Sequence, residues 1–144
     1  METFDIELPE EEFERLNSAY PFDMQSAKVG QRSVEIVKWH FKTIDPNCKF
    51  DNTQTDIDLR VTIKEKLFEI EIKGTADKDI AWMKLKVSGK RSYEKLKNGM
   101  PIYRVCNVYN KKPCIFVLHY NDDFEMIPED RWSIRPKRSS PPGA

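Results

Sequence analysis

Residues 58–73, DLRVTIKEKLFEIEIK, decide the fold, because apolar and polar side chains alternate along two short segments. Such alternation is typical of β-strands, in which successive side chains point to opposite faces of a sheet. With Lys64 and Glu65 as the turn of a hairpin, the antiparallel register sets Leu59 beside Ile70. The sequence therefore predicts a hairpin with one apolar face, packed on the core, and one polar face.

The polar face of this hairpin carries the candidate site. The same register places Asp58 beside Glu71, and Lys73 follows Glu71 on the same face. Two acids and a lysine on one face are the smallest set of groups that supports metal-assisted cleavage of a phosphodiester. Asp56 lies two residues before Asp58 on that face, so a slip of the turn brings Asp56 in as the acid instead. The pattern favours Asp58 and leaves the choice open.

A plainer interpretation of the same face is a solvated strand surface whose charged residues only exchange weak ion pairs. The residues that follow favour the site. Gly74 comes directly after Lys73, and a residue without a side chain lets the backbone turn at the strand end, as a site that receives a ligand needs.

The charges of the chain are strongly segregated, although the formal net charge is zero. Residues 1–23 contain eight acids and only Arg15 as a base, whereas residues 84–112 contain nine bases and only Glu94 as an acid. A basic segment after an acidic hairpin suits a nucleic-acid backbone that docks beside a metal site. The alternative is a soluble lysine-rich helix. The candidate nucleic-acid-binding residues are Lys84, Lys86, Lys90, Arg91, Lys95 and Arg104.

Size and composition limit the class of protein. A chain of 144 residues fits one domain with a real core. No apolar run approaches the length of a membrane span, and the N-terminal residues are acidic where a signal peptide is basic and then apolar. We therefore expect an intracellular protein, in the cytoplasm or nucleus, with no membrane partner. The three cysteines lack a C-x-x-C spacing, so a zinc site is not predicted.

The remaining segments predict an α/β domain with a central mixed sheet flanked by helices. Helices are expected over 10–20, 26–43 and 88–97, the last two with N-caps at Ser26 and Ser88. Strands are expected over 48–53, 82–87, 102–109 and 114–120, and a short helix or strand over 124–134. We divide the chain into an acidic N-terminal extension (1–25), the domain itself (26–134) and a flexible polar tail (135–144).

Two segments carry a resemblance to a known family. EIEIKGT (69–75) and, after an intervening strand and helix, IYRVCNV (102–108) resemble the PD-(D/E)xK, restriction-endonuclease-like nuclease superfamily. More narrowly, they are similar to the nuclease-like domain at the C-terminus of plant NO VEIN proteins and in many bacterial defence proteins. In that domain an EVKGT strand and a YRV strand recur in this order. The resemblance covers roughly residues 26–120 and implies a restriction-endonuclease-like core.

The resemblance also implies roles for individual residues. Asp58 and Glu71 would bind Mg²⁺ or Mn²⁺, with the Ile72 carbonyl as a further ligand. Lys73 would position or activate the attacking water and stabilise charge on the phosphate. Glu35 matches a helix glutamate that often completes such sites.

The chain departs from the family pattern at one position. The proline of the family name is missing, because Asp56 and Ile57 precede Asp58. The choice between Asp56 and Asp58 therefore stays open here too, while the chemistry is unaffected.

The function that we expect is a metal-dependent endodeoxyribonuclease in restriction or defence, junction resolution or DNA repair. We expect it to act on DNA as a homodimer, because one small domain has little surface for holding a duplex. The alternative is a catalytically inactive module that keeps the nuclease fold for DNA binding or protein interaction.

Overall fold

The structure, a computed structural model, describes residues 1–22, 26–51 and 57–137. Six strands form one sheet: β1 (Glu2–Asp5), β2 (Lys49–Asp51), β3 (Leu59–Ile63), β4 (Lys66–Gly74), β5 (Ile102–Cys106) and β6 (Cys114–Leu118). The α-helices of the described residues are α1 (Glu10–Ala19), α2 (Ser26–Ile44) and α3 (Lys90–Lys97).

The sheet has the strand order β1-β6-β5-β4-β3-β2. β4 and β5 run parallel, and every other neighbouring pair is antiparallel. The predicted α/β class with a central mixed sheet flanked by helices is therefore confirmed. None of the helices in the described ranges is long and apolar enough to cross a bilayer.

The β3–β4 hairpin forms in the register that its sequence predicts. Leu59 pairs with Ile70, and Ile63 pairs with Lys66. The two turn residues, Lys64 and Glu65, have φ angles of 49° and 70°. Positive φ at both positions gives a turn whose twist matches that of the flanking strands, which explains why a two-residue loop sets the register without glycine or asparagine.

α2 covers one face of the sheet, and it lies unusually close to β4. A Cβ placed on Gly74 would stand 1.7 Å from the Oγ of Ser33 on α2. The prediction that Gly74 serves a ligand-receiving turn is therefore wrong, because its missing side chain makes room for the helix. Ile36 and Val37 of α2 are buried against this face, where the apolar side of the hairpin completes the main core.

α3 contributes to a second, smaller core on the opposite face. Leu96 of α3 packs there with Met100, Ile102 and Leu118, and the partly buried Phe124 adds to it. Because side chains alternate along β4, this is also the face of Glu71 and Lys73. The candidate site thus lies on the side of the sheet away from α2.

The acidic N-terminal segment is part of the folded domain, which corrects the predicted extension over 1–25. β1 pairs with β6 as an edge strand. Ile6, Leu8 and Leu16 are buried in the main core. Phe4, Ile6 and Leu8 show the strand period of two, but the surrounding acids obscured it in the sequence.

Three smaller predictions are also wrong. Residues 82–87 form no strand, because Trp82–Lys84 is a short 3₁₀-helix. α3 is preceded by Gly89 and has no side-chain cap, so Ser88 does not cap it. Residues 124–134 contain neither helix nor strand.

Candidate active site

Asp58 is fixed at the open end of the hairpin. It directly precedes β3, and its Oδ2 accepts a hydrogen bond of 2.8 Å from the backbone N–H of Ile72 on β4. The pairing of β3 with β4 starts at Leu59. Beyond that pair, the Asp58 carboxylate accepts the hydrogen bond that a backbone carbonyl would accept if β3 continued. The local fold therefore fixes the orientation of Asp58, whose side chain also hydrogen-bonds to Glu71.

Glu71 is a buried carboxyl group beside Asp58. Only 7% of the residue is exposed. Burial raises the pKa of Glu71 to about 7, and the charge of Asp58 and its hydrogen bond to Glu71 act in the same direction. The ammonium of Lys73 opposes them, with Nζ 3.4 Å from Glu71 Oε1. Near neutral pH this pair of acids therefore holds a proton that a cation can replace.

Glu69, two residues earlier on the same face of β4, shows what an ordinary surface acid does here. Its Oε2 accepts a hydrogen bond of 3.1 Å from Arg60 Nε, and its Oε1 lies 3.0 Å from Lys95 Nζ. The hydrogen bond from Lys95, followed by that from Arg60, lowers the pKa of Glu69 against the opposing effect of partial burial. The interpretation as solvated ion pairs fits Glu69, whereas Glu71 is buried against a second acid.

The Lys73 side chain lines a groove on the same face of the sheet. The groove has a volume of about 700 Å³. The 3₁₀-helix, α3 and the C-terminal segment around residues 124–131 form its walls. We call it the Lys73 groove. Its lining includes Lys73, Trp82, Lys86, Tyr93 and Arg131.

Glu35, another predicted site residue, does not join the acid pair. Glu35 lies on α2, which covers the opposite face, and its carboxylate contacts the Tyr20 hydroxyl at 3.5 Å and Arg15 NH2 at 3.8 Å. The prediction that Glu35 completes the site is therefore wrong. Asp56 lies outside the described residues.

Ile72 lies between Glu71 and Lys73, and its side chain is buried in the main core. Its amide holds Asp58, as described above. The role of its carbonyl as a metal ligand stays a prediction.

Arg104 corrects the predicted nucleic-acid-binding set. It is 2% exposed, and its guanidinium donates to the backbone carbonyls of Ile80, Gly74 and Ala81 at 2.7, 3.2 and 3.4 Å. The cation ties the segment after β4 to the sheet. It has no surface to offer a phosphate, so the prediction that it binds nucleic acid is wrong.

The other five predicted basic residues differ in their partners. Three of them form ion pairs with acids of the same chain: Lys84 with Asp77, Lys86 with Glu129, and Lys95 with Glu69. Lys90 and Arg91, at the start of α3, are exposed and form no ion pair within the described ranges. The basic surface is therefore narrower than the sequence predicts.

Comparison with known proteins adds no family to this geometry. No family model, curated protein or solved structure matches the chain. The resemblance to the PD-(D/E)xK superfamily stays a prediction that rests on the segments EIEIKGT (69–75) and IYRVCNV (102–108).

The acid pair suits a hard divalent cation. Where the structure describes the chain, no three His, Cys, Asp or Glu side chains group closely enough to hold a metal ion. Mg²⁺, however, is commonly bound through one or two carboxylates, with waters and substrate phosphates as its other ligands. Asp58 and Glu71 supply such oxygens and no nitrogen or sulfur. The residues present therefore fit Mg²⁺ or Mn²⁺.

Sequence reasoning missed the Lys73 groove and its residue Arg131. The walls come from a 3₁₀-helix and a C-terminal segment without regular structure, and neither has a periodic pattern that predicts its position. Trp82 was the available signal, since this aromatic residue lies two positions before the basic segment 84–112.

Proposed function

We propose that this protein is a metal-dependent nuclease with a restriction-endonuclease-like core, which hydrolyses phosphodiester bonds of DNA. One observation carries the proposal: Glu71 is buried beside Asp58 and within 3.4 Å of the Lys73 ammonium. β4 and β5, which contain most of the two segments of the resemblance, follow one another in the chain order expected from it, although the strand expected between them at 82–87 does not form.

Each residue of the site has a distinct task in this proposal. Asp58, oriented by the Ile72 amide, and Glu71, after losing its proton, would supply the carboxylate ligands of the cation. Mg²⁺ bound there supplies charge that stabilises the phosphate and activates water. Lys73 adds a second positive charge from the groove side, where it stabilises the negative charge that develops on the phosphate and orients the attacking water.

The chemistry balances without a redox partner. Water adds to phosphorus and one P–O bond forms, while the bond to the leaving oxygen breaks. One proton of the water is released and one is taken up by the leaving oxygen. Because the free Glu71 carboxyl holds a proton near neutral pH, cation binding and cleavage both increase as the pH rises through about 7.

The decisive experiment is incubation of the purified protein with supercoiled plasmid, branched DNA and single-stranded DNA in Mg²⁺ or Mn²⁺. Glu71→Gln and Lys73→Ala test the site, and Glu69→Gln is the matched control on the same strand face. We expect cleavage by the parent and by Glu69→Gln, and at least about 100-fold slower cleavage by the two site variants. Cleavage that is the same in all four folded proteins, or that survives a chelator, contradicts the proposal.

A second candidate function is a DNA-binding or protein-interaction module with idle acids. It is favoured by Lys90 and Arg91, which are exposed at the start of α3 and form no ion pair in the described ranges, so they can contact a phosphate backbone without the acid pair. This candidate predicts that the parent and Glu71→Gln bind DNA equally, with the same salt dependence, and that neither cuts any substrate. A gel-shift series over several salt concentrations, run beside the cleavage assay, separates the two candidates.

A further inference from the structure

The dimensions of the Lys73 groove limit what it can accept. Its volume of about 700 Å³ falls within the range of pockets that enclose small-molecule ligands. A space of this size accommodates about one or two nucleotides. The groove leads to Lys73, whose ammonium stands 3.4 Å from the buried Glu71 carboxyl group.

Two aromatic rings stand exposed in the walls of the groove. Trp82 of the 3₁₀-helix is 47% exposed, and Tyr93 of α3 is 41% exposed. The Nζ of Lys97 lies 5.4 Å from the centroid of the Tyr93 ring and adds positive charge there. Aromatic rings beside basic side chains are the recurring platform on which unpaired bases stack.

The charges of the groove complement a phosphate backbone. Lys73, Lys86 and Arg131 line it, with Glu125 and Glu129 as the opposing acids. Glu129 is already paired with Lys86, so its charge is compensated within the protein. Of the charged lining residues, Lys73 and Arg131 then remain against Glu125, so the lining keeps a net positive charge.

We propose that the Lys73 groove binds unpaired nucleotides, so that the substrate is single-stranded or locally unpaired nucleic acid. Bases stack on Trp82 and Tyr93, and the adjoining phosphate reaches Lys73. As a statement about the substrate, this inference rests on the proposed nuclease function, but the binding itself requires neither metal nor cleavage.

The test is fluorescence anisotropy of a labelled oligothymidine and of a mixed-sequence duplex of the same length. It is run on the full chain in EDTA, where no cleavage competes. Trp82→Ala and Tyr93→Ala each remove one ring from the groove. Trp132→Ala is the matched control, because Trp132 is 89% exposed and does not line the groove. Trp82→Phe and Tyr93→Phe restore a ring at each position.

We expect the parent to bind the single strand more tightly than the duplex. Each alanine variant should weaken single-strand binding by about 5-fold to about 150-fold, the range for one lost base stack. The phenylalanine variants should recover most of the affinity, and Trp132→Ala should stay within about 2-fold of the parent. The phenylalanine rescue distinguishes lost stacking from a damaged fold.

The inference is overturned if the duplex binds as tightly as the single strand, if the alanine variants bind like the parent, or if no nucleic acid binds. Its failure is distinguishable from failure of the nuclease proposal. Duplex cleavage without a single-strand preference overturns the inference and keeps the nuclease. Ring-dependent single-strand binding by a protein that cuts nothing overturns the nuclease and keeps the binding site.

Discussion

Replacement of Glu71 by glutamine should stabilise the metal-free protein at pH 8 and change its stability little at pH 4.5. The folded protein keeps the Glu71 proton up to a pKa of about 7, whereas the unfolded chain releases it near 4.5. Between these two values the folded state binds more protons than the unfolded state, so the free energy of unfolding falls as the pH rises. Glutamine cannot ionise, so the Glu71→Gln variant does not lose stability in this way as the pH rises. Its amide can still donate a hydrogen bond to Asp58.

The size of the effect follows from the same two pKa values. The rise in the Glu71 pKa from 4.5 to about 7 lowers the free energy of unfolding of the parent by about 3 kcal/mol at pH 8. The loss develops gradually between these two pH values. Burial of Glu71 shields it from solvent screening, so the figure applies without a large discount. For a domain of this size it amounts to an increase of about 10 °C in melting temperature.

The assay is urea unfolding of both proteins in EDTA from pH 4.5 to pH 8.5, followed by circular dichroism. Glu69→Gln is the control with the opposite sign. Because Lys95 and Arg60 lower the pKa of Glu69, its stabilisation is present above pH 4.5 and is lost as the pH falls. Glu69→Gln should therefore destabilise the protein at pH 8. Parallel stability curves for Glu71→Gln and the parent over the whole range would refute the buried, acid-paired position of Glu71.

Three further perturbations have definite expected outcomes in the same unfolding assay. Arg104→Met should lower the free energy of unfolding by about 2–4 kcal/mol, because three backbone carbonyls lose their buried hydrogen-bond donor. A decrease below about 1 kcal/mol would contradict the role of Arg104 in tying residues 74–81 to the sheet. Gly74→Ala should lower the free energy of unfolding by about 2 kcal/mol or more, because the added Cβ clashes with α2. Gly30→Ala has open space around its added Cβ and should raise it by about 0.5–1 kcal/mol. Equal effects of the two substitutions would contradict the close packing at Gly74. Replacing Lys64-Glu65 by Asn-Gly should raise the free energy of unfolding by about 1 kcal/mol, because both residues adopt positive φ easily. No increase would contradict the positive φ angles of this turn.

The sequence was sufficient for the hairpin because both parts of the argument are local. Alternating residues define the faces, and a two-residue turn sets the register that brings Leu59 to Ile70. Asp58 and Glu71 become neighbours by the same register, so the acid pair and Lys73 were also predictable. The helices α1 and α2 were found because each has clear end signals.

What the sequence could not predict depends on contacts between distant segments. Arg104 follows the pattern of a surface base, and only the fold of residues 74–81 around it makes it a buried donor. Glu35 has helical spacing compatible with the site, but the choice of sheet face for α2 removes it. The elevated pKa of Glu71 likewise follows from its burial in the folded protein and from the charge of Asp58 beside it.

The pairing of β1 with β6 has a consequence for how the protein folds. Among the six strands, β1 is synthesised first and β6 last, yet they are hydrogen-bonded neighbours. Closing such a long loop costs conformational entropy before the contacts that compensate for it can form. This pairing therefore slows folding. Until β6 emerges from the ribosome, Phe4, Ile6 and Leu8 stay exposed, and their acidic neighbours then help to keep the nascent segment from aggregating.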